Sequence, residues 1–215
     1  MSSYKIHYFA APARAEVARL CLSIGGIAYE DINYTQATFP EAKPRMPFGQ
    51  VPVLELPDGR MLAQSGAIDR YVAKLAGLYP ADPLDAAYAD QLVFQLADFM
   101  ELFTPTWALP MEERIKARQE ILAGKGKEKL QQLEKLVEAQ SGGYVAGVKL
   151  SFADLALFVG LSNMSGGLYD GVPKNLLDEY PALKAFRNKI ANEPAVKAHY
   201  EKHGDVLRAS FKPDA

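Results

Sequence analysis

Hydrophobic positions in the first third of the chain switch repeatedly between a strand and a helix period. Lys5 to Phe9 reads as a short strand, and Val17, Leu20, Cys21 and Ile24 then fall at i, i+3, i+4 and i+7, one face of a helix stopped by Gly25-Gly26. Ala28 to Asn33 supplies a second strand. Tyr34 to Pro47 holds no period and contains Pro40, Pro44 and Pro47, so it predicts a loop of a length at which function becomes common. Val51 to Leu56 and Arg60 to Leu62 flank the turn formers Pro57, Asp58 and Gly59, a hairpin pattern. Ile68, Tyr71, Val72 and Leu75 mark a helix from about Ser65 to Gly77. The order is β-α-β-loop-β-β-α.

Past the segment from Leu78 to Asp85, which carries Pro80 and Pro83, strand signals all but vanish. The break predicts an α/β domain over 1–79 and an all-helical domain over 86–215. Leu92, Leu96, Phe99 and Phe103 form one helical stripe, and Leu130, Leu133, Leu136 and Val137 form another that ends near Gly142-Gly143. Gly124 and Gly126 argue against one unbroken helix between them. Ser151 and Asp154 have the spacing of a capping box with Asp in the place of Glu, opening a segment rich in apolar residues (Leu155, Leu157, Phe158, Val159, Leu161) that predicts a helix buried on most sides. Further helices are expected around Leu183, Phe186 and Ile190 and around Val196 and Tyr200.

Composition narrows the function. The 215 residues, 49% of them hydrophobic, suffice for a sizeable core, and 24 basic against 26 acidic side chains, with no Lys/Arg block, make nucleic acid and membrane surfaces unexpected partners. No apolar run approaches the roughly 20 residues of a membrane span, and the first residues lack the regions of a signal peptide, so a cytoplasmic protein is expected. Cys21 is the only cysteine, which excludes an internal disulfide and a cysteine zinc site; its place on an apolar stripe predicts a buried structural thiol. His199 and His203 are spaced i, i+4 without a third ligand and are expected on a solvated helix face.

Three stretches carry a family likeness: Tyr8-Phe9 with Arg14-Ala15-Glu16 and Arg19, then Pro47-Phe48-Gly49-Gln50-Val51-Pro52, then Ala63-Gln64-Ser65 with Ile68. In this order, followed by a helical half with Ser151 and Asp154, they resemble the cytosolic glutathione transferases, most of all the sigma class, which includes haematopoietic prostaglandin D synthases and some lens crystallins. The resemblance implies a thioredoxin-like first domain, an all-helical glutathione transferase second domain, a homodimer, and glutathione as co-substrate. It gives Tyr8, with Arg14 nearby, the task of holding the glutathione thiol as a thiolate. It implies a cis Val51–Pro52 bond beside the cysteinyl backbone, Gln64 and Ser65 at the γ-glutamyl carboxylate, and Lys43 and Gln50 at the glycyl end. Phe39 stands where tryptophan is usual and cannot donate an indole hydrogen bond, which implies weaker affinity for glutathione. Asp98 matches an acid that reaches the γ-glutamyl amine across the dimer. Phe94 and Ala97 occupy positions that are metal-binding acids in vertebrate prostaglandin D synthases, so no metal is expected.

Physical chemistry agrees with those roles. A helix N-terminus after strand one favours an anion, and Ser65 suits an N-cap whose neighbouring N–H groups can hold a carboxylate. A thiol of pKa about 8.5 is about 3% ionised at pH 7, and lowering it by two units takes about 2.7 kcal/mol of thiolate stabilisation. A less basic thiolate is a weaker nucleophile, so most of the acceleration has to come from placing the electrophile. Phe9, Met100, Phe103 and Trp107 are candidates for that hydrophobic electrophile's pocket, with core packing an equally good use of all four. The chain has Ala10, Ala11, Pro12 and Ala13 where a thiol-exchange enzyme has cysteine, and Ser2 and Ser3 precede the strand, which disfavours a serine-type transferase. A glutathione-dependent prostaglandin-type isomerase and a non-catalytic carrier or crystallin-like relative stay open; keeping Tyr8, Arg14, Gln50, Gln64, Ser65 and Asp98 speaks for an enzyme.

Overall fold

The computed structural model describes residues 3–140 and 143–214. It divides into two compact units, Met1–Tyr79 and Pro80–Ala215. In the first, β1 (Tyr4–Phe9), α1 (Glu16–Ile24), β2 (Tyr29–Tyr34), α2 (Phe39–Ala42), β3 (Val53–Glu55), β4 (Met61–Ala63) and α3 (Ser65–Leu75) follow in order. The sheet runs β2-β1-β3-β4, with β1 parallel to β2 and antiparallel to β3. A parallel pair needs a crossover, and α1 supplies it. β3 and β4 form the hairpin that the Pro57-Asp58-Gly59 turn predicts, with Val53 opposite Ala63. This is the thioredoxin-like domain that the resemblance implies.

The segment predicted as loop between Tyr34 and Pro47 instead contains α2 and a 3-10 turn, Lys43–Arg45. One turn of helix is too short to show a period, and Pro40 is harmless there because first-turn N–H groups are unpaired anyway. What fixes the segment is a small core: Ala42 and Met46 are buried with Val53, and Tyr34 and Phe39 pack on them.

Cys21, in α1, has no exposed surface, and burial pushes its thiol pKa well up, with nearby Asp69 adding to the rise. Asp69, from the neighbouring helix α3, is buried, and its Oδ1 finds no hydrogen-bond partner. Burial therefore holds its carboxyl well above the ordinary 3.8, against a smaller pull from Arg70. A carboxyl whose folded pKa is raised gives stability that is complete below pH 3.8 and is lost as pH climbs toward the folded value. Asp69→Asn is therefore expected to be more stable than the parent above neutrality, by about 1–3 kcal/mol, and to lose that advantage in acid. Urea unfolding of the two proteins at acid and alkaline pH checks it; a difference independent of pH refutes it.

The second unit is helical: α4 (Pro83–Glu101), α5 (Met111–Ala123), α6 (Lys125–Glu138), α7 (Phe152–Ser165), α8 (Pro181–Ala191) and α9 (Pro194–His203). Asp82 caps α4, accepting from the Leu84 and Asp85 N–H groups at 2.8 and 3.0 Å. Every residue of α7 from Phe152 to Met164 is buried, as its apolar density predicts. α5 lacks an apolar stripe and was invisible to periodicity. Its anchor is Arg118, fully buried, bonded to Thr106 Oγ1 at 2.9 Å and lying 4.3 Å from the Trp107 ring centroid. Gly124 and Gly126 do break the run: a side chain on Gly126 would sit 2.7 Å from the Ile121 carbonyl oxygen. α6 ends at Glu138, ahead of the predicted stop, of which Gly142 lies outside the described residues.

The expectation for the histidines of this unit fails. His199 is buried, its ring 4.8 Å from that of Tyr200, because Val196, His199 and Tyr200 together form the inward face of α9; only His203 is exposed. No helix among the described residues is long and apolar enough to cross a membrane.

Candidate active site

Strand β1 carries Tyr8 to its end, and the chain then bends through residues 10–12 into a 3-10 turn, Ala13–Ala15, that leads into α1. Tyr8 is 8% exposed, and its hydroxyl oxygen accepts the Arg14 N–H at 3.4 Å. Burial lifts the phenol above its ordinary value of 10.0, although that N–H and the charges of Arg14 and Arg19 pull the other way. Tyr8 thus keeps its proton at neutral pH, and with its oxygen already accepting one hydrogen bond the O–H is free to act as donor.

Two non-glycine residues among those described have a left-handed backbone, Ala13 at φ 38° and Gln64 at φ 72°. Such strain gathers at functional sites. Ala13 precedes Arg14 at the base of Tyr8, and Gln64 opens α3. Between them in sequence, Val51–Pro52 is cis, as the resemblance implies. Arg14, Phe48, Gln50, Val51, Pro52, Ala63, Gln64 and Ser65 line one open cleft.

Ser65 is not the N-cap of α3. The ladder begins at the Gln64 carbonyl, which accepts the Ala67 and Ile68 N–H groups at 2.9 and 3.0 Å, so Gln64 takes the cap position and Ser65 is the first helical residue. The consequence for an anion is the same, since the first N–H groups of a helix remain outside its own ladder, and Gln64 and Ser65 line the cleft.

The other candidates are not among the residues that line this cleft. Phe39 is half-buried with its ring 5.5 Å from Phe9 and 5.8 Å from Tyr34, a packing role that needs no donor. Lys43 sits exposed in the 3-10 turn after α2. Phe9 stacks edge-on to Tyr8 at 5.7 Å. In the helical unit, Asp98 is exposed on α4, paired with Lys129 Nζ at 3.2 Å, in a groove with Phe94 and Leu136. Met100 is half-buried, and Trp107 is 44% exposed against Tyr169. Phe103 has no exposed surface and packs on Phe99 and Tyr169. It is a core residue, and its place in the electrophile pocket is withdrawn.

Comparison with known proteins decides the family. Residues 4–74 match the family described as glutathione S-transferase, N-terminal domain, and residues 97–203 match glutathione S-transferase, C-terminal domain. The chain belongs to the glutathione S-transferases. It is 36% identical to the hematopoietic prostaglandin D synthase of Gallus gallus over 203 residues, covering 94% of this chain and 97% of that one. The solved structure of NaGST-2 superposes with a TM-score of 0.85 at 31% identity, covering 96% and 100% of the two chains. A sigma class transferase of Fasciola hepatica gives a TM-score of 0.83 at 25% identity, covering 95% and 98%.

Within this transferase, two site features escaped the sequence. Phe48 is 65% exposed at the cleft, although it stood in a quoted motif without a role. Ala13 and Gln64 gave no local signal for a positive φ, which glycine or asparagine would have given.

Proposed function

We propose that this glutathione transferase is of the tyrosine type, with Tyr8 donating its O–H to the sulfur of glutathione and so holding it as a thiolate that attacks a hydrophobic electrophile. The observation that carries this reading is the buried Tyr8 phenol whose oxygen accepts the N–H of Arg14, a residue that itself lines a cleft with Gln64 and Ser65 at the start of α3. The fit to the peptide is good: N–H groups and Ser65 suit the γ-glutamyl carboxylate, the backbone at Val51–Pro52 the cysteinyl amide, and Gln50 with Lys43 the glycyl carboxylate. Asp98 of a second subunit completes the γ-glutamyl amine site in a homodimer. Its exposure on α4 beside the likewise exposed Phe94 supports that place. Among the apolar candidates for the electrophile, Phe9 of the first unit keeps exposed surface with its ring against Phe39, and in the second unit Met100 and Trp107 keep theirs.

Titrating the ultraviolet thiolate absorbance of glutathione bound to the protein tests it. A bound thiol pKa at least about one unit below the free value of about 8.5 is expected, together with conjugation of a halogenated aromatic. Glutathione bound with an unshifted thiol would overturn the mechanism.

A further inference from the structure

The turn that serves Tyr8 is held from behind by one side chain. Arg19 is 3% exposed. Its Nη1 donates to the Ala11 carbonyl at 2.8 Å, to the Pro12 carbonyl at 3.5 Å and to Glu16 Oε2 at 3.0 Å. Its Nε donates to Asp31 Oδ1 on β2 at 2.8 Å, and its guanidinium carbon lies 5.9 Å from the Tyr8 ring centroid.

A buried guanidinium needs partners for its charge, and Glu16 and Asp31 already supply two carboxylates. The carbonyl contacts are a separate matter. They are directed at residues 11 and 12, immediately before Ala13, whose φ of 38° costs an alanine about 1 kcal/mol. A strained residue of this kind persists only where its surroundings over-determine it. Relaxation of Ala13 to an ordinary negative φ would redirect the next peptide, and that peptide carries the N–H that meets Tyr8.

We propose that Arg19 is a positioning residue for Tyr8: by gathering the Ala11 and Pro12 carbonyls it keeps Ala13 left-handed and the Arg14 N–H on the phenol oxygen. With that N–H in place the phenol oxygen is polarised and its O–H is aimed as a donor, since hydrogen bonds in a chain strengthen one another. The inference rests on Tyr8 being the thiolate donor.

Arg19→Lys keeps the charge, but a single ammonium lacks the planar fork that reaches Asp31 and the Ala11 carbonyl together. Asp31→Ala removes the acceptor of Nε from a partly exposed position and leaves the other contacts, so it serves if the lysine variant does not fold. Both are compared with wild type by thiolate absorbance of bound glutathione from about pH 5 to 9, with the glutathione Kd taken in parallel. The bound thiol pKa is expected to rise by about one unit in Arg19→Lys, and by less in Asp31→Ala, with Kd within about threefold; conjugation near pH 6.5 then drops about three- to fourfold, a tenfold loss of thiolate partly offset by the more basic sulfur. A merely structural role would lower the melting temperature and leave the bound thiol pKa where it was. An unchanged thiol pKa in folded Arg19→Lys, or in Asp31→Ala where the first is unfolded, overturns the proposal. A wild-type complex without any thiolate overturns the Tyr8 reading as well, so the two failures are distinguishable.

Discussion

Tyr8→Phe is expected to lower the rate of conjugation near pH 6.5 by roughly 3- to 15-fold, a 10- to 100-fold loss of thiolate partly offset by a more basic sulfur, while glutathione still binds. The substitution removes one oxygen and little volume, so packing around the ring against Phe9 survives. What disappears is a hydrogen bond to a charged sulfur. Such bonds are worth about 1.5–3 kcal/mol, which returns the bound thiol pKa by about one to two units toward 8.5. The loss should depend on pH. Where buffer alone ionises the thiol, above about pH 9, the variant has as much thiolate as wild type, and its more basic sulfur is the better nucleophile. The deficit therefore closes, and can reverse, as pH rises. The Kd for glutathione should change little, because the cleft residues Gln50, Gln64 and Ser65 are untouched. A pH profile of kcat/KM for both proteins checks this. A deficit of the same size at every pH would mean that Tyr8 positions the electrophile and does not ionise the thiol.

How much of this was legible in sequence followed from how local the cause was. Ser151 and Asp154 stand three apart, and their box needs nothing beyond that turn, so the spacing announced it. The α1 and α3 stripes and the hairpin turn were likewise complete within a few residues. Arg118 was not, since a buried cation on a polar helix makes sense only once Thr106, Trp107 and Tyr169 are brought to it from elsewhere in the chain. Arg19 is the same case at the site: its motif position was visible, but its service to the Ala11 and Pro12 carbonyls depends on the turn folding back over it. His199 and Phe103 show the converse error. Both sit at positions that look usable for solvent or ligand, and both are consumed by packing. Residue type and spacing thus picked out residues that share one cleft, whereas the strained backbone at Ala13 and Gln64 is set by surroundings that a linear pattern does not contain.

Asp154→Ala carries the largest expected cost in stability, about 3–5 kcal/mol, or a fall in melting temperature of roughly 10 °C or more. Asp154 is fully buried and accepts three hydrogen bonds, from the Ser151 N–H at 2.8 Å, the Ser151 hydroxyl at 2.7 Å and the Val145 N–H at 2.8 Å. The first two fix the start of α7, and the third ties that start to the segment preceding it. Burial raises the carboxyl pKa despite these donors, so the site is costly to desolvate and valuable only because it is filled with partners. Alanine leaves those donors in a place that solvent does not reach, and α7 is the helix on which α4 and α8 pack. Asp154→Asn should cost less, about 1–3 kcal/mol, because its one carbonyl oxygen still serves one side of the box while its NH₂ faces a donor on the other. The contrast with Asp69 is the sharper test of the principle. Both are buried carboxyls with raised pKa values, yet Asp69 has an oxygen without a partner and its neutral variant is expected to stabilise the protein at alkaline pH, whereas Asp154→Ala destabilises it. Urea unfolding of both variants and the parent at one alkaline pH decides it: opposite signs support the count of hydrogen-bond partners as the deciding quantity, and equal signs would reject it.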